Sequence, residues 1–373
     1  MILGHPYFEK LDRIHPYPAK FPADIAEKYI LEYTKETDLV FDPFAGSGST
    51  LLAATANRRY SIGTDINGTA ILISKFKLLN INDDDIKQLQ GLKNKIHENL
   101  ASENYGELYS YPSINHWFSD EAIIGLSLIK NTISNLFRES DRLNTFSRLA
   151  MSAIINQVSN QESDTRYAAI TKEWVKRDIV VSLFCEKLDS FIKIVSNCKR
   201  DEEYLTNSNA ILWNSKKCHE IIQKESVDFI ITSPPYPNTY DYYLYHKHRM
   251  LWLDDDFKHA MQEEIGSRRE FSSLKHPKEK FDEDLYEILY SCNIVLKPNA
   301  KVVIIIGDGT IQGELYNAYE HTLEITNKLG WTLIHSSFTE LDKTTRSFRQ
   351  SFRTKGKKEH VLIFEKGIWD EGN

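Results

Sequence analysis

The stretch ITSPPYPNTYDYY, residues 231–243, ends an apolar run on Ser233-Pro234-Pro235-Tyr236 and then adds three more tyrosines in seven residues. Adjacent prolines fix φ and carry no N–H, so the tetrapeptide is stiff, extended and rich in acceptors, namely the Ser233 hydroxyl and the Pro234 carbonyl. That set of groups suits an amino group. On a nucleobase, an exocyclic amine delocalises its lone pair into the ring. Two acceptors gripping its two hydrogens turn the nitrogen toward tetrahedral geometry and free that pair. Tyr236 is then expected to stack on the base, and the further tyrosines to wall a pocket for a nucleotide turned out of its stack. Without such a ligand the same residues would be an extended loop closing a buried strand, with aromatics as packing.

A second chemical stretch is DPFAGSGST, Asp42–Thr50. Gly46 and Gly48 lie between an apolar strand and a helix, where missing side chains let backbone N–H groups and a helix N-terminus approach a ligand. Asp65 follows Gly46 by nineteen residues, about where a dinucleotide fold places the acid that holds ribose hydroxyls. The third position of a GxGxxG pattern is Leu51, so an adenosine-containing ligand without pyrophosphate fits better than a dinucleotide.

The elements that must position these residues follow from periodicity. LVFDPF, the glycine turn, TLLAATANR and YSIGTD read as strand, turn, helix and strand. Residues 70–200 carry helical spacing instead: Leu126, Ile129, Ile133, Leu136; Phe146, Ala150, Ile154, Val158; Phe184, Leu188, Phe191, Val195. Strand signals return at AILWN, VDFIITS, AKVVIIIGDG, GWTLIHSSF and EHVLIFEKG, with helical stretches among them. The expected fold is α/β: a doubly wound, mostly parallel seven-stranded sheet with an antiparallel edge hairpin and a largely helical insertion. The expected division is 1–69 and 201–373 for the sheet domain, with 70–200 grown out of it as the insertion.

The chain has 373 residues, 41% of them hydrophobic, and a formal net charge of −7, so any surface for a polyanion must be local. Basic residues gather at HKHRM, GSRRE and Arg346–Lys358. The four cysteines show neither CxxC pairing nor metal-ligand spacing, which points to a reducing, cytoplasmic setting and no metal site. No apolar run approaches the roughly 18 residues that span a bilayer, so no membrane partner is expected.

Taken together, these motifs resemble the S-adenosylmethionine-dependent DNA amino-methyltransferases, which methylate the exocyclic nitrogen of cytosine or adenine. The resemblance rests on TSPPY as the catalytic motif, DPFAGSGST as the cofactor loop, GTDIN as the strand-ending acid, and HPYPAKFPADIAEKYI (His15–Ile30) as the N-terminal motif. It implies S-adenosylmethionine as cofactor and Ser233, Pro234, Pro235 and Tyr236 as catalytic residues. It also implies a cofactor loop of Asp42, Phe44, Gly46, Ser47 and Gly48, ribose contact by Asp65, and methionine contacts by Lys20, Phe21 and Pro22. Where the family often has an acid near the end of the third strand, this stretch carries Asn209, an amide able to pair with an adenine edge. DNA with a flipped target nucleotide is the implied partner, and a restriction endonuclease the implied companion.

Ser at the first catalytic position resembles the cytosine-N4 enzymes, with adenine-N6 as the alternative. An RNA guanine-N2 enzyme could use a similar Pro-Pro-Tyr. Cytosine-C5 chemistry needs a thiolate, usually in a Pro-Cys pair, and none of the four cysteines follows a proline. A nicotinamide oxidoreductase would account for the glycine turn but not for Ser233–Tyr236. Three further sites are expected: phosphate contacts by Arg346–Lys358, base or phosphate contacts by Arg166 and Tyr167 in NQESDTRY, and Asp308 as a turn cap or target-strand contact.

Overall fold

The protein is described here by a computed structural model covering residues 5–164, 166–198, 200–341 and 356–367. Seven strands form one sheet: β1 (Leu39–Asp42), β2 (Tyr60–Asp65), β3 (Asn209–Leu212), β4 (Val227–Thr232), β5 (Leu296–Gly307), β6 (Trp331–Glu340) and β7 (Lys358–Lys366). Their order is β6-β7-β5-β4-β1-β2-β3. The pairs β1–β2, β2–β3, β1–β4 and β4–β5 are parallel, and β7 runs antiparallel to both β5 and β6. The expected doubly wound sheet with an antiparallel edge is therefore present. The chain winds outward from β1 through β2 to β3, then returns to β4 on the other side of β1. A crevice opens at such a switch point, at the carboxyl ends of the strands.

The central strands are apolar on both faces because both faces are covered. Val40, Phe229, Ile231, Val303, Ile305 and Ile363 face one core layer. Phe41, Ile230, Val302, Ile304, Leu362 and Phe364 face the other, as the two-residue period of a strand requires. The helices that matter below are α1 (Pro6–Asp12), α2 (Ala23–Tyr33), α3 (Ser49–Ala56), α4 (Gly68–Lys77), α5 (Asp83–Ala101), α6 (Asp120–Leu136), α7 (Asp141–Val158), α8 (Arg177–Asn197), α9 (Tyr242–Trp252), α10 (Glu279–Val295) and α11 (Ala318–Lys328). Every residue of α3 is buried, which fits a helix enclosed on all sides.

Helices α5 to α8 fill the stretch expected to be helical. The apolar stripes on α7 and α8 are buried throughout, whereas on α6 the stripe stops short and Leu136, the last helical residue, is 47% exposed. These helices share one core with the sheet: Phe76 of α4 packs 4.8 Å from Phe146 and 5.2 Å from Phe191, ring centre to ring centre. NQESDTRY forms a short ribbon, in which Gln161–Ser163 pairs antiparallel with Arg166–Ala169. The ribbon is tied to α9 by Asp164, which pairs with the fully buried guanidinium of Arg249.

Candidate active site

A cavity of about 390 Å³ lies over the carboxyl ends of β1 and β4. Lys20, Phe21, Pro22, Asp42, Phe44, Gly46, Ser47, Asp65 and the whole of Ser233-Pro234-Pro235-Tyr236 line it. Residues scattered over more than two hundred positions thus meet at one crevice because the sheet brings their strand ends side by side.

Two expected contacts do not line it. Asn209 pairs with Ile62 at the amino-terminal start of β3, while the ligand-facing rim lies three residues further on, where Asp65 pairs with Leu212. At about 3.3 Å per strand residue it is some 10 Å short of the site. Asn214 and Ser215, just beyond the strand, line the cavity in its place. Gly48 is also turned away. Its φ is +74°, and a Cβ there would stand 2.7 Å from Ser74 Oγ and 2.8 Å from Ser74 Cα. Its missing side chain admits α4, and of the two glycines only Gly46 lines the cavity, its N–H donating to Asp65 Oδ2 over 2.9 Å.

Asp42 holds the cavity floor. Its Oδ1 accepts from Thr232 Oγ1 at 2.6 Å and from the Phe44 N–H at 3.0 Å, and its Oδ2 accepts from Thr50 Oγ1 at 2.7 Å. Burial pushes its carboxyl above the usual range despite these donors. Asp65 is pushed up to about 6 by burial, even though the Gly46 and Asn67 N–H groups donate to it. Glu264, on the cavity wall, is raised well above its ordinary value by burial while accepting the N–H groups of Tyr242 and Tyr243 at the start of α9. Three carboxyl groups thus line one partly apolar cavity, and burial biases each of them toward its neutral form.

Ser233–Tyr236 is held from the opposite side. The Tyr236 ring lies on Gly307, where a Cβ would stand 2.5 Å from it. The Tyr236 hydroxyl donates to Glu359 Oε1. Tyr240 and Tyr242 join the lining, whereas Tyr243 is buried at 8% exposure.

Sequence reasoning missed several supports. Asp12 binds Lys20, the buried Lys77 ammonium at 2.9 Å and Ser49 Oγ at 3.0 Å, so the lysine of the N-terminal motif is tethered to a helix outside that motif. Tyr17 covers Gly46 and stacks on His246 at 5.0 Å. Tyr17 stood inside the motif already noted, and Asn214 at the end of AILWN. Asp12 and Glu359 carried no local signal.

The remaining expectations are redistributed. Asp308 is a cap and clamp: its Oδ1 accepts from the Ala318 N–H at 2.9 Å and meets His360 Nε2 at 3.1 Å, and its Oδ2 accepts from the Lys358 N–H at 2.8 Å. Of the basic segment Arg346–Lys358, residues 346–355 lie outside the described residues. Lys357 is buried, and the Lys358 ammonium sits 3.9 Å from the centre of the Phe338 ring, which corrects the expectation that both reach out to phosphate. In the ribbon, Tyr167 packs on Trp117 and His248, while Arg166 projects outward and pairs with Glu162. Among the described residues no group of three His, Cys, Asp or Glu side chains could hold a metal ion, and no helix is long and apolar enough to cross a membrane.

Similarity to known proteins points the same way. The type II methyltransferase M.MvaI of Kocuria varians is 29% identical over 272 residues, covering 66% of this chain and 58% of that protein. M.MjaII, a type II methyltransferase of Methanocaldococcus jannaschii, is 22% identical over 389 residues, covering 79% of this chain and 71% of that protein. Among solved structures, TrmN from Thermus thermophilus overlays with a TM-score of 0.36 at 10% identity, covering 92% of this chain and 48% of the other, an overlap too small to build on. The sequence profile of a family described as DNA methylase, the N6/N4 methyltransferases, matches residues 4–76 and 227–370. With more than half of its residues in that match and the motif-bearing strands meeting at one crevice, the chain belongs to the S-adenosylmethionine-dependent DNA methylases that modify exocyclic N4 or N6 amines.

Proposed function

We propose that the protein transfers a methyl group from S-adenosylmethionine to the exocyclic N4 amine of cytosine at a specific DNA site, as the modification partner of a restriction endonuclease. The observation that carries this reading is the single cavity shared by the cofactor loop and Ser233–Tyr236. Its volume falls in the range of about 300–1,000 Å³ typical of small-molecule sites. Asp65, raised only to about 6, is the lining acid that ionises near neutral pH and that a sulfonium or an ammonium would favour.

When bound, S-adenosylmethionine supplies an electrophilic methyl group on sulfur. The chain's own work is positioning and electrostatics. Asp65 takes the ribose hydroxyls, and Phe44, Gly46 and Ser47 define the methionine end beside Lys20, Phe21 and Pro22. Ser233 Oγ and the Pro234 carbonyl accept the two amine hydrogens, which frees the nitrogen lone pair for in-line attack. Pro235 keeps the loop extended. Tyr236 stays on Gly307 and borders the base. Residues 70–200 serve as the target-recognition region, and the ribbon with Arg166 outward is its reading edge.

Cytosine is favoured over adenine because the first catalytic position is a serine. The test is to incubate purified protein with tritiated S-adenosylmethionine and unmethylated genomic DNA, digest to nucleosides and identify the labelled species by mass. Label in 4-methylcytosine supports the assignment. Label in 6-methyladenine keeps the mechanism and overturns the base, and label confined to RNA overturns the substrate.

A further inference from the structure

We propose that Lys77 completes an anion subsite at one end of the cavity: with Lys20 it leaves a buried cluster one negative charge short, and the carboxylate of the bound cofactor supplies that charge. This deepens the reading of the cavity as an S-adenosylmethionine site and rests on it.

The cluster is built around a single acid. Asp12 Oδ1 accepts from Lys77 Nζ at 2.9 Å and from Ser49 Oγ at 3.0 Å, while Oδ2 pairs with Lys20 Nζ. Two ammonium groups thus share one carboxylate. Arg13 and Asp24, which also act on Lys20, are exposed and of opposite sign, so the excess of one positive charge stands. The Lys20 ammonium donates to the Asp12 carbonyl as well, which leaves the third of its N–H donors for a ligand.

Lys77 cannot shed its charge into water. Its side chain is fully buried, and among the described residues Asp12 is the partner of its ammonium. An unbalanced buried cation is costly unless a counter-charge reaches it. Burial holds this ammonium below the usual lysine range although Asp12 draws it up. Asp12, which burial alone would raise, is held below the usual carboxylate range by Lys77 and Lys20. The acid therefore stays ionised, and its one charge is divided between two lysines.

The cavity is where the missing charge can enter. Lys20 and Ser49 both line it, and Ser49 is the first residue of α3, whose leading N–H groups have no partner within the helix. A carboxylate at this end meets the Lys20 ammonium and the partial positive charge of the helix N-terminus. Lys77 itself does not line the cavity, so it acts through Asp12 as a positioning residue. By drawing on that carboxylate it keeps Lys20 from being neutralised. Without it, Asp12 and Lys20 would form a closed pair with no charge left over.

The test compares S-adenosylmethionine with its decarboxylated form, which keeps the adenosine, the sulfonium and the ammonium. Calorimetric binding of both is measured on wild type and on Lys77→Met, together with thermal unfolding of each unliganded protein. Wild type is expected to bind S-adenosylmethionine about tenfold or more tightly than the decarboxylated form, and Lys77→Met to lose most of that preference by weakening for the intact cofactor alone. Unfolding of Lys77→Met should be unchanged or shifted upward, because a hydrophobe replaces an unbalanced buried cation. Equal affinity of wild type for the two ligands would overturn the proposal whether or not the variant folds. So would a Lys77→Met protein that keeps the wild-type preference or weakens equally for both. Wild-type protein that binds neither ligand would overturn the cofactor reading itself.

Discussion

Thr232 Oγ1 donates to Asp42 Oδ1 over 2.6 Å, joining the last residues of two adjacent parallel strands. Asp42 begins the stretch Asp42–Thr50, and Thr232 immediately precedes Ser233. Because Thr50 of α3 binds the other oxygen of the same carboxylate, one buried acid ties the start of the glycine turn, α3 and the strand end before Ser233 together.

Thr232→Val keeps the shape and removes that donor. It should destabilise the fold by about 1–3 kcal/mol, the cost of leaving a buried acceptor short of a partner. Chemical denaturation reads the first effect and methyl-transfer turnover the second, which should fall because the two loops are no longer tied. Unchanged stability and turnover would show that Asp42 is satisfied by its other donors.

Gly48→Ala should be costly for two separate reasons. The φ of +74° disfavours any side chain, and the added Cβ would meet the Ser74 backbone at 2.8 Å. A loss on the order of 1–3 kcal/mol in unfolding free energy is expected. Gly48→Ala with Ser74→Gly should recover part of it, measured by denaturant titration of both variants.

Gly307→Ala tests the seat of Tyr236. A Cβ at 2.5 Å must lift the ring from the strand and pull its hydroxyl from Glu359. The expected outcome is a fall in turnover of about tenfold or more at unchanged cofactor affinity. Wild-type turnover would mean that the ring position is not needed for transfer.

Asp65 predicts a pH dependence. Burial raises its folded carboxyl from 3.8 to about 6, so the unliganded fold binds this proton more tightly than the unfolded chain. The corresponding stability is fully present below 3.8 and is lost as pH rises through about 6. Cofactor binding has the opposite sign, because ribose hydroxyls favour the ionised acid: affinity should rise with pH through the same window and binding should release a proton. Calorimetry in buffers of different ionisation enthalpy reads that release. Asp65→Asn should reduce it and weaken binding, and an unchanged proton count would remove Asp65 from the ribose site.

The family and the sheet were legible in the sequence because both are local properties. Strand period, the glycine turn and the proline pair are written in consecutive residues, and β2 runs from Tyr60 to Asp65 where YSIGTD places it. The acceptors at Ser233 and Pro234 follow from residue type alone. Tertiary structure decided what depends on neighbours far along the chain. It put Asn214, and not Asn209, in the cavity lining, because only strand register says which end of a strand reaches the rim. It packed Gly48 against Ser74 and left Gly46 on the cavity lining, since two glycines in one turn differ only in what packs against them. It also brought Lys77 to Asp12 and Glu359 to Tyr236. A lone acid carries no periodicity, and its role appears only when folding supplies the partner that its charge requires.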